Sequence, residues 1–251
     1  MVFQDWALFP HLDVADNVGY GLTRTDRDGP RVGETLGIYF DTIRESHFYD
    51  LNSDGQDPLY GDARQMQTLY HEGVHQLFQE TESKGRSPGE NANFWVIEGV
   101  ACYFESLIKI PHFRGERGRY QIGGAWGARM VSAIERGLLM PTAELVAMPQ
   151  SDLQRQPNLA RVYAQSTALV RMLMHAHQQR DREALVEYLR EVYGGRPDGE
   201  ELSRLIGRPY GELDAEYERF LNLARRTASG ELTPTDAFST KPHLPAEEPS
   251  K

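Results

Sequence analysis

Several features that mark other classes of protein are scarce in this sequence. Cys102 is the single cysteine in 251 residues, which excludes an intrachain disulfide and a zinc site built from cysteines. No apolar run approaches the roughly 20 residues that a membrane-spanning helix needs, so no membrane span is expected. No Gly-Lys pair occurs, and the phosphate-binding loop of P-loop ATPases requires one, so we expect no ATP binding.

Basic charge is scarce as well. The formal net charge is -10 and the sequence pI is about 5.3, whereas a nucleic-acid-binding protein normally carries an excess of basic residues that contact phosphates. Nucleic acid is therefore not an expected partner. Hydrophobic residues make up 39% and charged residues 25%, which is the balance of a globular protein, and the length fits one large domain or two small ones.

The hydrophobic pattern predicts a short β region followed by many helices, an α+β fold that is mainly α. Residues 31–49 are rich in β-branched and aromatic side chains, which favours extended structure. Apolar residues then recur at helical spacing over 63–82 and from Phe94 to Ile108, and Pro111 should end this second helix. Further helices are predicted at 124–136, 142–148, 158–178, 181–193, 198–206 and 209–226.

The two ends of the chain differ from its central part. Residues 2–22, VFQDWALFPHLDVADNVGYGL, resemble the Q-loop segment of ABC-transporter ATPases, but the LSGGQ signature of that family is absent. We therefore expect residues 1–30 to be a fusion remnant or a misplaced start outside the core. Residues 31–228 should form the domain, and the proline-rich residues 229–251 should be a disordered tail.

A metal-binding motif lies in the first predicted helix. His71-Glu72-Gly73-Val74-His75 has the form HExxH, and residues four apart share one face of a helix, so both imidazoles can reach one metal ion. Glu72 projects close by and could accept a proton from a metal-activated water. Zinc suits this arrangement because it accepts three protein ligands and leaves a fourth position open. A surface helix that happens to carry two histidines is the alternative.

A third ligand has to come from elsewhere in the chain. One class of zinc protease continues the motif as HExxHxxGxxH, but Phe78 and Thr81 occupy the last two defined positions here. A carboxylate from a second helix is the remaining option. Glu98 follows a loop long enough to reverse the chain and lies beside an apolar stripe, where a carboxylate without a partner is costly. A solvated glutamate at the boundary of that stripe is the alternative.

The two motifs together resemble a known family. HEGVHQLF followed by WVIEGVACYFES is similar to the gluzincin zinc peptidases, especially the bacterial peptidase-MA-like proteins. The resemblance implies a zincin-like domain, in which a short β region is followed by an active-site helix, a glutamate helix and a helical C-terminal part. It also implies His71, His75 and Glu98 as ligands of Zn²⁺, with Glu72 as general base and acid.

Two further residues are candidates for the site. The resemblance extends to ARVYAQSTALVRML and implies a tyrosine that faces the metal, so Tyr163 could stabilise an oxyanion, a role typically worth about 3–4 kcal/mol. A packed helix tyrosine is the alternative. Glu105 shares a helix face with Glu98 and could orient a zinc-bound imidazole, with an ordinary surface glutamate as the alternative.

These observations predict a zinc metallopeptidase that acts on a peptide or protein substrate. No GxMEN-like exopeptidase motif occurs, so endopeptidase-like cleavage is expected. An extended substrate could lie as an added strand along the β segment near 35–49. A non-catalytic module, in which zinc only joins two helices, is the alternative. The resemblance implies that a longer native form of the protein could be exported. The sequence itself does not indicate the compartment.

Overall fold

The described part of the chain is mainly helical, with two small β-hairpins. The computed structural model describes residues 37–40, 44–48, 58–82, 88–110, 119–122, 128–194 and 201–231. The mainly helical α+β prediction is confirmed for these residues. The predicted ATPase-like segment and the tail after residue 231 lie outside them. Within them, no helix is both long and apolar enough to cross a membrane.

Two antiparallel hairpins lie before and after the first two helices. Strands β1 (Gly37–Phe40) and β2 (Glu45–Phe48) form the first hairpin. Helices α1 (Pro58–Glu82) and α2 (Phe94–Phe104) follow. The later elements are β3 (Leu107–Ile110) and β4 (Arg119–Ile122), which pair with each other, and α3 (Ala128–Arg136), α4 (Thr142–Ala147), α5 (Gln150–Gln154), α6 (Leu159–His175), α7 (Arg182–Tyr193), α8 (Glu201–Ile206) and α9 (Tyr210–Ala228).

The first two helices each have one boundary that differs by several residues from the sequence prediction. Helix α1 begins at Pro58 rather than at residue 63, in keeping with the preference for proline at the first helical position. Helix α2 ends at Phe104, and strand β3 follows, so the prediction of a helix that continues through Ile108 was wrong. Ile108 and Ile110 are β-branched, which favours the strand.

Helix α2 forms the centre of the hydrophobic core. All of its residues are buried, and it packs against α6 on one side and α1 on another. Trp95 is fully buried, and its Nε1–H donates to the Tyr188 hydroxyl at 3.1 Å. That hydroxyl in turn donates to Asn93 Oδ1 at 2.5 Å. Because each of these buried donors has a partner, the hydrogen bonds offset the cost of removing these polar groups from water.

Gly99 allows α2 and α6 to lie close together. A Cβ atom at this position would lie 3.0 Å from the Ser166 carbonyl oxygen and 3.0 Å from Val170 Cγ2. The first of these atoms belongs to the backbone, so it can move only if α6 moves. The glycine that follows Glu98 therefore sets the distance between the two helices that form this part of the core.

We expect substitutions at Gly99 to destabilise the fold. Overpacking should lower the free energy of unfolding by about 1–3 kcal/mol for Gly99→Ala and by roughly 3 kcal/mol or more for Gly99→Val. Urea denaturation checks this. Gly211→Ala on α9 is the matched control, because a Cβ atom there meets nothing within 4 Å. Equal stabilities for the Gly99→Val and wild-type proteins would show that α6 can move away from α2 without loss of stability, which contradicts a fixed spacing at Gly99.

A network of ion pairs joins the start of α7 to α9. Arg208 donates to Asp181 through Nη1 at 2.9 Å and through Nη2 at 2.6 Å, and it also contacts Glu216 at 2.8 Å. Burial raises the pKa of Asp181, but hydrogen bonds from Arg208 and Arg180 outweigh burial, and the pKa lies below its usual value. Because the folded-state pKa lies below the unfolded one, the pairs stabilise the fold at neutral pH. This stabilisation is lost as the pH falls.

The network predicts a specific acid sensitivity. From about pH 5 to pH 3, the free energy of unfolding should fall more steeply for the wild type than for Asp181→Asn. At pH 7, Asp181→Asn should lower it by roughly 1.5–3 kcal/mol, since the largely buried Arg208 is left with one charged partner fewer. Urea denaturation across this pH range measures both effects, with the exposed Asp152→Asn as control. Equal pH slopes for wild type and Asp181→Asn would contradict the assignment.

Candidate metal centre

Helix α1 presents two histidines to a cavity. The buried side chains of Val74 and Phe78 hold the helix against the core, and His71 and His75 lie one turn apart on the face next to α2. Their rings meet edge to face with centroids 4.8 Å apart, and the two Nε2 atoms are 3.2 Å apart. Both nitrogens therefore point toward the same small volume.

Helix α2 brings Glu98 to that same volume. Its Oε2 lies 3.4 Å from His71 Nε2, and its Oε1 lies 3.9 Å from His75 Nε2. One ligand atom from each of these residues lies within 4.8 Å of the others. Glu98 is 6% exposed, so it is not a solvated boundary residue. The three sequence-predicted ligands thus lie together and could hold a metal ion.

The two histidines have opposite protonation preferences. Burial lowers the pKa of His75 to about 4, so its ring is neutral and can coordinate a cation at pH 7. Burial also opposes a charge on His71, but its contacts with Cys102, Glu105 and Glu98 outweigh burial and raise the pKa. The surroundings of His71 therefore favour a positive charge. A bound cation would supply that charge in place of the proton.

Glu72 lies beside the two histidines and lines the same cavity. Its side chain is buried and accepts a hydrogen bond from the backbone of Tyr39 on β1. Burial raises the pKa of Glu72 to about 7, although His71 and the Tyr39 bond act in the opposite direction. A carboxyl group with a pKa near neutrality can both accept and return a proton, which is the requirement for a general base that later acts as an acid.

Glu105 lies against the other ring nitrogen of His71. Its Oε1 is 2.9 Å from His71 Nδ1, which can donate a proton to it. This arrangement fixes the tautomer that leaves the Nε2 lone pair free on the side of His75 and Glu98. Arg129 holds Glu105 in turn, with Nε and Nη2 each 2.9 Å from a carboxylate oxygen. Burial opposes ionisation, but these bonds lower the pKa of Glu105 to about 2.

A second group of possible ligands shares His71. Cys102 Sγ lies 3.9 Å from His71 Nδ1, and His71, Cys102 and Glu105 form a close cluster. Burial raises the pKa of the Cys102 thiol, which disfavours the thiolate that a metal ion would require. Glu105 is also paired with Arg129. The His71, His75 and Glu98 group is therefore the better metal site.

Tyr163 on α6 lines the cavity in front of these residues. Its hydroxyl interacts with the Glu98 carboxylate, and the Arg129 guanidinium lies over its ring, 5.3 Å from the centroid. Burial, followed by the charge of Glu98, raises the pKa of Tyr163, so the hydroxyl stays protonated and can donate. The cavity has a volume of about 700 Å³ and is also lined by Gly37, Ile38 and Tyr39 of β1.

A comparison with protein families assigns most of this helical region. The family described as a protein of unknown function, DUF1570, matches residues 65–197, which is just over half of the chain. The chain belongs to the DUF1570 family. The DUF1570 match extends from within α1 to just beyond α7, so it includes the candidate ligands His71, His75 and Glu98 but not the β1 residues that line the cavity.

Outside the DUF1570 family, the chain matches short parts of ABC-importer subunits. It is 46% identical over 50 residues to the spermidine/putrescine import ATP-binding protein PotA of Frankia alni, which is 20% of this chain and 11% of that protein. It is also 40% identical over 68 residues to the Fe(3+) ions import ATP-binding protein FbpC 1 of Haemophilus influenzae, covering 26% of this chain and 21% of that protein. The likeness to ABC ATPases is confirmed as a partial match. No solved structure matches.

Sequence reasoning about this DUF1570 protein missed Arg129. The residue is a single arginine within GARMVS, and nothing in its spacing links it to the HExxH helix. Its role follows from the packing of α3 against α6, which brings the guanidinium between Glu105 and Tyr163. A basic residue opposite the predicted Glu105 could have been sought, but the chain contains 27 lysines and arginines.

Proposed function

We propose that this protein is a zinc metallopeptidase with a zincin-like site. The observation that supports the proposal most strongly is the convergence of His71, His75 and Glu98 beside the buried carboxyl group of Glu72. The resemblance of the HEGVH and WVIEG motifs to gluzincin peptidases supports the same reaction. The substrate class is a peptide or protein.

The spacing of the three side chains fits one tetrahedral ion. Ligand atoms bonded at about 2.0–2.1 Å to a tetrahedral zinc ion lie roughly 3.4 Å apart. The separations here are 3.2 Å between the two Nε2 atoms, 3.4 Å from His71 Nε2 to Glu98 Oε2 and 3.9 Å from His75 Nε2 to the other Glu98 oxygen, Oε1, so either oxygen lies on the side of the histidines. Two imidazoles and one carboxylate form the donor set of a catalytic zinc site, in which one position stays open for water or substrate.

The protein side chains divide the work of hydrolysis between them. A bound zinc ion would supply Lewis-acid activation of the attacking water and of the scissile carbonyl. Glu72 accepts the proton that the water loses and returns it to the leaving amine as the carbon–nitrogen bond breaks. Tyr163 donates a hydrogen bond to the oxygen that becomes negatively charged. Glu105 and Arg129 keep the His71 ring in position.

Strand β1 borders the same cavity, and we propose that an extended substrate lies beside it. Gly37, Ile38 and Tyr39 line the cavity, and β1 contacts α1. If a peptide binds along β1, Ile38→Pro should reduce peptide turnover without changing zinc content, as measured by a cleavage assay beside metal analysis. Unchanged turnover in Ile38→Pro would remove β1 from the substrate site.

A non-catalytic module that uses zinc to join α1 and α2 is the second candidate. Both candidates bind zinc, so metal content alone does not separate them. The test of the proposed function is cleavage of a peptide library by the zinc-loaded chain, with and without a chelator. Cleavage that stops on chelation and returns with zinc supports the peptidase. Zinc binding without cleavage of any peptide would support the binding module instead.

A further inference from the structure

Arg129 is the one lysine or arginine among the described residues that line the metal cavity. Its side chain is 31% exposed, so the guanidinium is not sealed inside the protein. Glu105 occupies only one edge of the guanidinium, through Nε and Nη2. An arginine carries five N–H donors, and three of them, including both on Nη1, are left without a partner among the described residues.

Two contacts hold this guanidinium in a fixed orientation. The paired bonds to Glu105 set its plane, and the Tyr163 ring packs against it at 5.3 Å. An arginine that is already fixed loses little side-chain entropy when it binds a second group, and its planar fork matches a carboxylate. The exposed edge of Arg129 is therefore a preformed site for an anion of that shape.

Arg129 also lies close to the metal centre. Two hydrogen bonds of 2.9 Å in series, through Glu105 Oε1, join its Nη2 to Nδ1 of His71. An extended residue spans only about 3.3–3.6 Å. A group bound by Arg129 therefore belongs to a substrate residue near the cleaved bond.

The charges around the cavity allow such an anion to enter once a divalent ion is bound. The carboxylates of Glu72, Glu98 and Glu105 line the cavity and would repel an anion. A divalent metal ion together with Arg129 carries enough positive charge to balance all three. No other lysine or arginine among the described cavity residues could take the place of Arg129.

We propose that Arg129 binds a carboxylate of the substrate next to the cleaved peptide bond, so that the preferred substrates are peptides with a free C-terminal carboxylate or an acidic side chain at that point. The proposal rests on the proposed peptidase function and narrows it. It also agrees with the absence of an aminopeptidase motif, since the carboxylates that could bind a free amino terminus are already engaged.

The test measures binding separately from turnover. Zinc-loaded Glu72→Gln protein is immobilised and incubated with N-acetylated random hexapeptides in two forms, one with a free C-terminal acid and one with a C-terminal amide. Retained peptides are counted by mass spectrometry. We expect retention of the acid form to exceed that of the amide form by about 10-fold or more. Enrichment of Asp and Glu over Asn and Gln within the amide form would assign the carboxylate to a side chain instead.

Variants of Arg129 decide whether this residue causes the preference. Combining Arg129→Met with Glu72→Gln should remove the preference for peptides that carry the carboxylate. Arg129→Lys keeps the charge but not the planar fork, so it should retain part of that preference. Arg136→Met is the matched control, because Arg136 is exposed on the same helix. Zinc content is measured for each variant to show that His71 is still in place, and Arg129→Lys carries the comparison if Arg129→Met loses zinc.

The possible results separate this inference from the proposed function. Absence of a carboxylate preference in either library, or a preference that persists unchanged in both Arg129 variants, would overturn the role of Arg129. Wild-type cleavage at equal rates of acid and amide peptides, with no preference for Asp and Glu over Asn and Gln next to the cleaved bond, would overturn it as well, while leaving the peptidase intact. An Arg129-dependent preference in a chain that cleaves no peptide would instead support the carboxylate site and contradict the peptidase.

Discussion

Glu72→Gln should lower peptide hydrolysis by about 10²–10⁴-fold while zinc binding is retained. A carboxamide has nearly the shape of the carboxyl group but cannot accept the proton that the attacking water must lose. Glu72 is buried beside His71 and His75, and its pKa near 7 suits proton transfer at neutral pH. Initial rates on a cleaved library peptide measure the first quantity, and metal analysis measures the second.

Glu80→Gln is the control for that experiment, because Glu80 lies on the same helix but does not line the cavity. We expect its rate to stay within about twofold of the wild type, as for most substitutions away from a functional site. Full activity in Glu72→Gln would exclude Glu72 as the base. Loss of zinc together with activity would instead make Glu72 part of the metal site.

Glu98→Gln should weaken zinc binding by at least about 100-fold, because it removes the only negatively charged group of the three proposed ligands. Competition with a chromophoric chelator measures the dissociation constant. Glu105→Gln should have a smaller effect, about 10-fold, since Glu105 acts on the metal through the His71 ring. The exposed Glu90→Gln is the control, with no change expected.

The relative effects of Glu98→Gln and Glu105→Gln on zinc affinity show which cluster binds the metal. If Glu105→Gln weakened zinc binding more than Glu98→Gln, the alternative cluster of His71, Cys102 and Glu105 would be the metal site. Cys102→Ser would then weaken zinc binding as well. If Glu98→Gln, Glu105→Gln and Cys102→Ser all left the dissociation constant unchanged, zinc would bind outside the described cavity.

The part of the site that depends on helix periodicity could be predicted from the sequence. His71 and His75 are four residues apart, so any regular helix places them on one face. Glu98 required a further step, because its approach to the histidines depends on how α2 packs against α1. The apolar stripe of α2 indicated that Glu98 lies at its buried edge, and a carboxylate at such a position needs a partner.

Arg129 and Gly99 show where sequence reasoning stopped. Arg129 reaches Glu105 only because α3 packs on α6, a contact between segments that carry no shared pattern. Gly99 follows Glu98 in the motif, yet its role is to let α2 approach α6, since a Cβ atom at this position would lie only 3.0 Å from a backbone atom of α6. Close approaches of this kind are set by tertiary packing and leave no periodic signal.

The end of α2 shows a conflict between two patterns. Ile108 continues the helical spacing that begins at Phe94, so periodicity extended the helix to Pro111. The same residue, together with Ile110, fits a β-strand. The pairing of β3 with β4 decides in favour of the strand, and the β4 partner begins at Arg119, nine residues after β3 ends. Local propensity alone could not identify that partner.

The location of zinc in a crystal of the zinc-loaded protein, measured by anomalous scattering at the zinc absorption edge, tests the proposed metal centre without recourse to variants. We expect one strong peak, bonded to Nε2 of His71, Nε2 of His75 and the carboxylate of Glu98 at about 2.0–2.2 Å. A peak elsewhere, or fully occupied zinc bonded to only one of these three side chains, would contradict it.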